Sequence, residues 1–225
     1  MTLTVYGAPL SPFVRKLRLC LAEKGLAYQH EMTMPGEKAD WFRDMSPLGR
    51  IPALRDGDFT LADSSVICQY LEAQYPESTP LYGRDAQETA RIRWLEKYAD
   101  YELGPLATFC VFRNRIVKPT LGQSCDEQIV QTALHEKLPP HFDYLEKTLG
   151  QAEYFVGNRL SIADLAIACQ LINMAHGGER LDAQRWPALA ALVARIEQRD
   201  SVQNLLPGEQ ATVAKIRSKF LSTAP

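Results

Sequence analysis

The chain has 225 residues, of which 46% are hydrophobic and 23% charged, with a formal net charge of −2 at pH 7. That length allows one large domain or two small ones around a sizeable core, and the absence of a basic excess argues against a nucleic-acid partner. No apolar run reaches the roughly 18 residues of a membrane span, and the N-terminus lacks the charged-then-apolar layout of a secretion signal.

Leu3–Tyr6 reads as a strand that ends at Gly7. Ser11-Pro12 then opens a helix, because serine is a favoured N-cap and proline suits a first helical position where its missing N–H would be unpaired anyway. This helix covers Pro12–Lys24, with Val14, Leu17, Cys20 and Leu21 on one side and Gly25 as its stop. The Ser11 hydroxyl therefore sits where the positive end of a helix dipole points outward, a place that favours an anion such as a thiolate. Tyr28–Thr33 alternates as a second strand, and Met34–Gly49 reads as a loop with one irregular helical turn. Two short strands flank Asp56-Gly57-Asp58, an Asp-Gly hairpin turn, and Ser64–Gln74 has helical periodicity through Val66, Ile67, Tyr70 and Leu71. The order β-α-β then β-β-α predicts a small sheet with helices packed on it.

Tyr75–Asp85 carries Pro76, Pro80 and Gly83 without periodicity and reads as a linker. Beyond it the pattern is helical throughout. Gln87–Lys118 is long, with a kink expected at Gly104-Pro105, and Asp126–Leu149 is interrupted by Pro139-Pro140. Ile162–Ala175, Pro187–Gln198 and Glu209–Phe220 complete the set. Ser161-Ile162-Ala163-Asp164 has the form of a capping box with Asp in place of Glu, flanked by Leu160 and Leu165 as a hydrophobic staple; it is assigned to folding, not chemistry. Tyr98, Tyr101, Pro105, Phe109 and Phe112 fall at helical spacing on the long helix, as core or dimer contacts or as the wall of an apolar pocket.

The five cysteines, Cys20, Cys68, Cys110, Cys125 and Cys169, are widely spaced, with no CxxC pair and no Cys/His metal spacing. They are expected to be free thiols, with Cys20, Cys68 and Cys169 buried in apolar helical patterns, in a reducing cytoplasmic compartment.

Three N-terminal features belong together: Ser11 at its helix start, Ser46-Pro47-Leu48-Gly49-Arg50-Ile51-Pro52-Ala53-Leu54, and Leu61-Ala62-Asp63-Ser64-Ser65-Val66-Ile67. Pro52 precedes a strand; a cis Ile51-Pro52 bond would turn the Ile51 N–H and C=O outward, and a trans bond would make an ordinary turn. Asp63-Ser64-Ser65 either caps its helix or offers an anion site of N–H groups and hydroxyl. In this order and spacing the motifs resemble the glutathione-binding domain of the cytosolic glutathione transferases, serine type and bacterial-like. The resemblance extends over the whole chain.

The resemblance implies an α/β thioredoxin-like domain over residues 1–77, a linker over 78–86 and an all-α domain over 87–225. It implies a cis Ile51-Pro52 bond, with Ile51 pairing the backbone of bound glutathione. It implies Ser11 as the catalytic donor to the glutathione sulfur, with Tyr6 as the rival for that role. Phe13, Lys38, Arg50, Ile51, Pro52, Asp63 and Ser64 join Ser11 as glutathione-binding residues. Asp63-Ser64 would take the γ-glutamyl group, and Lys38 or Arg50 the glycyl carboxylate, either of which equally reads as a solvated loop charge. Tyr101, Phe109 and Phe112 would line the electrophile pocket, with Arg113 beside it. The function implied is glutathione transfer to an apolar electrophile in detoxification, by a cytoplasmic homodimer with glutathione as co-substrate and no other cofactor, metal, nucleic acid or membrane. A non-catalytic interaction or stress-response protein of this architecture, or a glutathione-dependent isomerase, is the alternative.

Overall fold

The computed structural model describes residues 2–220. Four strands, β1 (Leu3–Tyr6), β2 (Tyr28–Glu31), β3 (Ala53–Asp56) and β4 (Phe59–Ala62), form one sheet in the order β2-β1-β3-β4. β1 runs parallel to β2, antiparallel to β3, and β3 antiparallel to β4. The parallel pair needs a crossover, and α1 (Pro12–Glu23) supplies it. Ser11 is its N-cap, its side chain accepting from the Val14 N–H at 3.4 Å, and Gly25 takes the left-handed φ of +69° just past its end. β2 stops at Glu31, short of the expected Thr33, because its partner β1 stops at Tyr6, which faces Glu31. A six-residue helix, α2 (Asp40–Met45), occupies the expected loop, and α3 (Ser64–Gln74) closes this part.

Residues 75–85 contain no regular element, and helices follow: α4 (Ala86–Tyr98), a wide helix (Ala99–Val117), α5 (Lys118–Thr120), α6 (Glu127–Thr132), a second wide stretch (Ala133–Lys137) and α7 (Leu138–Leu149). After these come α8 (Ile162–His176), α9 (Pro187–Glu197), α10 (Asp200–Gln203) and α11 (Leu206–Phe220). The expected long helix continues through Gly104-Pro105, the pair at which a kink is expected. Its hydrogen bonding changes from Ala99 onward to the i→i+5 pattern, ending with the Lys118 N–H on the Arg113 carbonyl. A wider turn gives room to the Pro105 ring, which in an ordinary helix crowds the carbonyl four residues back. Pro139 and Pro140 stand in the first turn of α7, where proline is tolerated. The short α10 and the first turn of α11 lie outside the expected helices.

The two halves share one core. Val14, Leu17 and Leu21 of α1 belong to the same buried cluster as Ile167 and Leu171 of α8. Every residue of α8 except Ala175 is buried, so this helix is apolar on all sides and its polar residues must find partners inside. Its N-terminus is closed by Asp164, which accepts from the Ser161 N–H (2.8 Å), the Ser161 hydroxyl (2.6 Å) and the Phe155 N–H (2.9 Å). All five cysteines are free, and Cys20, Cys68 and Cys169 are buried. Burial pushes the Cys169 thiol up to about 12, which keeps it an inert packing group.

Candidate active site

The sheet register brings the three motifs together. Tyr6 pairs with Ala53, and Ala53 with Ala62. The segments that follow Tyr6, precede Ala53 and follow Ala62 therefore leave the sheet at one end, side by side. They are Gly7–Ser11, Ile51-Pro52 and Asp63-Ser64. Two inter-strand steps separate the outer pair, roughly 10 Å, about the span of three extended residues.

Ser11 is fixed by the backbone around it. Its N–H donates to the Ala8 carbonyl at 3.0 Å, and its carbonyl accepts from the Arg15 N–H at 2.9 Å. Because the hydroxyl oxygen accepts from the Val14 N–H, its own proton remains free to be donated outward. Gly7 lets this loop approach α1: a Cβ there would stand 2.4 Å from Val14 Cγ2. Tyr6, the rival, is only 5% exposed and packs with Phe42, Met45 and Ala53. The Trp41 ring lies 5.5 Å from its ring, and the Arg55 guanidinium 5.9 Å. Burial pushes its phenol above the usual range, outweighing the opposing pull of Arg55. Phe13, on the first turn of α1, is half-buried.

The Ile51-Pro52 bond is cis, and neither backbone polar group of Ile51 has a hydrogen-bond partner among the described residues. The loop before it is held by the Ser46 hydroxyl, which donates to the Arg50 carbonyl at 2.8 Å. Arg50 and Lys38 are exposed, and neither is in an ion pair among the described residues. Arg43, outside the expected set, donates to the Pro47 carbonyl at 2.9 Å and lies against Gly49.

Asp63 is a non-glycine residue at φ +77°, a conformation that costs on the order of 1–3 kcal/mol and collects at functional sites. Its side chain helps hold it there: Oδ1 accepts from the Ser65 (2.9 Å) and Val66 (3.2 Å) N–H groups. Asp63 thus caps α3 with one oxygen, and its other oxygen has no hydrogen-bond partner among the described residues. The N–H and hydroxyl of Ser64 have no partner among the described residues, so both remain for an anion. Behind them the Ser65 hydroxyl donates to Asp100 (2.8 Å) and accepts from Lys16 (3.0 Å), whose ammonium also pairs with Glu96 at 3.1 Å. Burial disfavours the Lys16 charge, but Glu96 and Asp100 outweigh it and raise its pKa. This buried network, which sequence reading did not anticipate, anchors the start of α3 to α1 and α4.

The expected apolar wall divides. Phe112 is buried in one cluster with Ile116 and Val213, and Leu10, beside Ser11, packs against that cluster. Tyr101 and Phe109 are 65% and 49% exposed and lie outside that cluster. The reason is the wide turn: residues spaced for an ordinary helix no longer share a face. Lys97 sits over the Tyr101 ring at 5.2 Å, and Arg113 is exposed. Among the described residues no group of three or more His, Cys, Asp or Glu is placed to hold a metal.

Residues 5–79 match the family model of the glutathione S-transferase N-terminal domain, and residues 113–207 that of its C-terminal domain. Glutathione S-transferase 3 of Zea mays is 34% identical over 166 residues, 72% of this chain and 73% of that protein. Glutathione S-transferase F10 of Arabidopsis thaliana is 32% identical over 171 residues, 74% of this chain and 78% of that one. A solved glutathione S-transferase from Rhodospirillum rubrum superposes with a TM-score of 0.81 at 27% identity, over 91% of this chain and 92% of its own.

Proposed function

The chain belongs to the glutathione S-transferase family, and on that premise we propose that it activates glutathione at Ser11 for attack on an apolar electrophile. The observation that carries this reading is the row Tyr6–Ala53–Ala62, from one end of which the segments bearing Ser11, Ile51 and Ser64 leave the sheet side by side. In this reading the backbone of Ile51 pairs with the cysteinyl backbone, as one rung of an antiparallel ladder. The Ser64 N–H and hydroxyl take the γ-glutamyl carboxylate, and the free oxygen of Asp63 its ammonium. Arg50 or Lys38 faces the glycyl carboxylate, and Phe13 packs beside the sulfur.

The Ser11 hydroxyl donates to the sulfur while the α1 N-terminus adds positive potential. A charge-assisted hydrogen bond is worth roughly 1.5–3 kcal/mol, about one to two pKa units on a thiol that starts near 8.5. The thiol proton passes to solvent, the thiolate forms the S–C bond, and the leaving group departs with its electron pair. Phe112 belongs to the buried cluster against which Leu10 packs, and this cluster supports its place in the apolar wall at this end of the sheet. The division at residues 78–86, the homodimer, the cytoplasmic location and the detoxifying role belong to the same proposal, supported by family membership and, for the location, by five free cysteines.

Ultraviolet titration of the bound thiolate tests it. Ser11→Ala should raise the thiol pKa by about one to two units with little change in glutathione affinity, and Tyr6→Phe should leave it in place. A shift in the Tyr6 variant alone would reverse the roles. No shift in either would assign activation to the backbone N–H groups of α1. Absence of glutathione binding at tens of millimolar would favour an interaction protein.

A further inference from the structure

The Ser11 loop is held from the far side by side chains of the helical half. The Leu10–Ser11 peptide plane is pinned at both edges: the Ser11 N–H donates to the Ala8 carbonyl, and the Leu10 carbonyl accepts from Asn173 Nδ2 at 3.3 Å. The orientation of the Asn173 amide is dictated by chemistry. Its Oδ1 accepts from Arg15 Nη1 at 2.8 Å, and arginine only donates, so the NH2 group must face Leu10. Arg15 cannot turn away. Its Nη1 also donates to the Cys169 carbonyl (3.0 Å), and its Nε and Nη2 grip the Glu209 carboxylate. Glu209 in turn faces His176 Nε2 at 3.0 Å. Arg15, Asn173 and Glu209 are 2% exposed or less.

A buried ion pair is a costly way to join two helices, and an apolar contact would do so as well. This one has a directional output that an apolar contact lacks: it fixes one amide, and that amide fixes the peptide carrying Ser11. We propose that Asn173, locked by Arg15 and Glu209, is a positioning residue that sets the direction of the Ser11 hydroxyl. The inference rests on the reading of Ser11 as the thiolate donor. It makes the start of α11, where Glu209 lies, part of the machinery that aims a group some 200 residues earlier in the chain.

The test is a cycle of Asn173→Ala and Ser11→Ala in the full-length protein, read by titration of the bound thiol and by steady-state kinetics. Asn173→Ala should lower the thiolate fraction at neutral pH about threefold to tenfold, less than Ser11→Ala does, and lower kcat by a similar factor. The KM for glutathione should stay near wild type, since no tripeptide contact is lost. In the Ser11→Ala background, Asn173→Ala should add nothing to the titration. An unmoved titration in a less stable Asn173 variant would make the network a fold clamp and overturn the inference. Equal shifts in both backgrounds would overturn it too, because the effect would not pass through Ser11. Failure of Ser11→Ala to shift the thiol marks instead the failure of the underlying reading, and this inference falls with it. If Asn173→Ala does not fold, Asn173→Asp keeps the acceptor for Arg15, loses the donor to Leu10, and serves in the same cycle.

Discussion

Ser161→Ala should destabilise the fold more than loss of an ordinary N-cap, and by an amount that depends on pH. Such a cap is worth about 1 kcal/mol. Here the hydroxyl is buried and donates to the buried Asp164 carboxylate at 2.6 Å, and hydrogen bonds to charged groups are worth roughly 1.5–3 kcal/mol. The expected loss near neutral pH is therefore about 2 kcal/mol. Burial pushes Asp164 from 3.8 up to about 6, although the donors from Ser161 and Phe155 pull the other way. A carboxyl raised in the folded state contributes stability that is complete below its unfolded value and is lost as pH rises toward the folded value. Removing the Ser161 donor raises the folded value further, so the variant should fall behind wild type as pH rises through about 6. Urea denaturation at about pH 7.5 and about pH 4.5, with midpoints compared at a common slope, measures this. The difference should shrink below about 1 kcal/mol at the lower pH, where the carboxyl is protonated. Turnover per folded molecule should not change. A loss independent of pH, or one below about 0.5 kcal/mol throughout, would refute the charge-assisted bond.

Gly7→Ala should cost roughly 1–3 kcal/mol in a thermal or urea melt and raise the bound thiol pKa, because its Cβ would stand 2.4 Å from Val14 Cγ2 and push the Ser11 loop off α1. Wild-type stability would mean that the loop gives way freely. Phe112→Ala should destabilise by about 3–5 kcal/mol, whereas Tyr101→Ala should stay within about 0.5 kcal/mol and leave turnover of an apolar electrophile unchanged. A large catalytic loss in the Tyr101 variant would restore that residue to the pocket wall.

Local signals were legible where the physics is local. Ser11-Pro12, Asp56-Gly57-Asp58 and Asp63-Ser64 each act within a few residues, through caps and turns that depend on little else, and each marks an element boundary in the structure. Asp63 is a subtler case. The sequence left it as cap or ligand, and the structure divides its two oxygens, one on α3 and one free. The aromatic residues of the long helix were read at the ordinary helical period, which the wide turns do not keep. The wide turns buried Phe112 and left Tyr101 and Phe109 outside. A proline inside a strongly helical pattern was the available hint.

By itself the sequence determined the order of the four strands and the longer helices, the cap that carries Ser11 and the family motifs, since each rests on chain neighbours. Only the tertiary structure decided that Tyr6, Ala53 and Ala62 align in one row, and that Arg15 meets Glu209 from 194 residues away. Asn173 was visible as a polar residue in an apolar helix, which signals a buried partner but does not name it. The physical reason is that a buried polar group must be satisfied, while the identity of its partner depends on which helix faces are pressed together when the whole core closes.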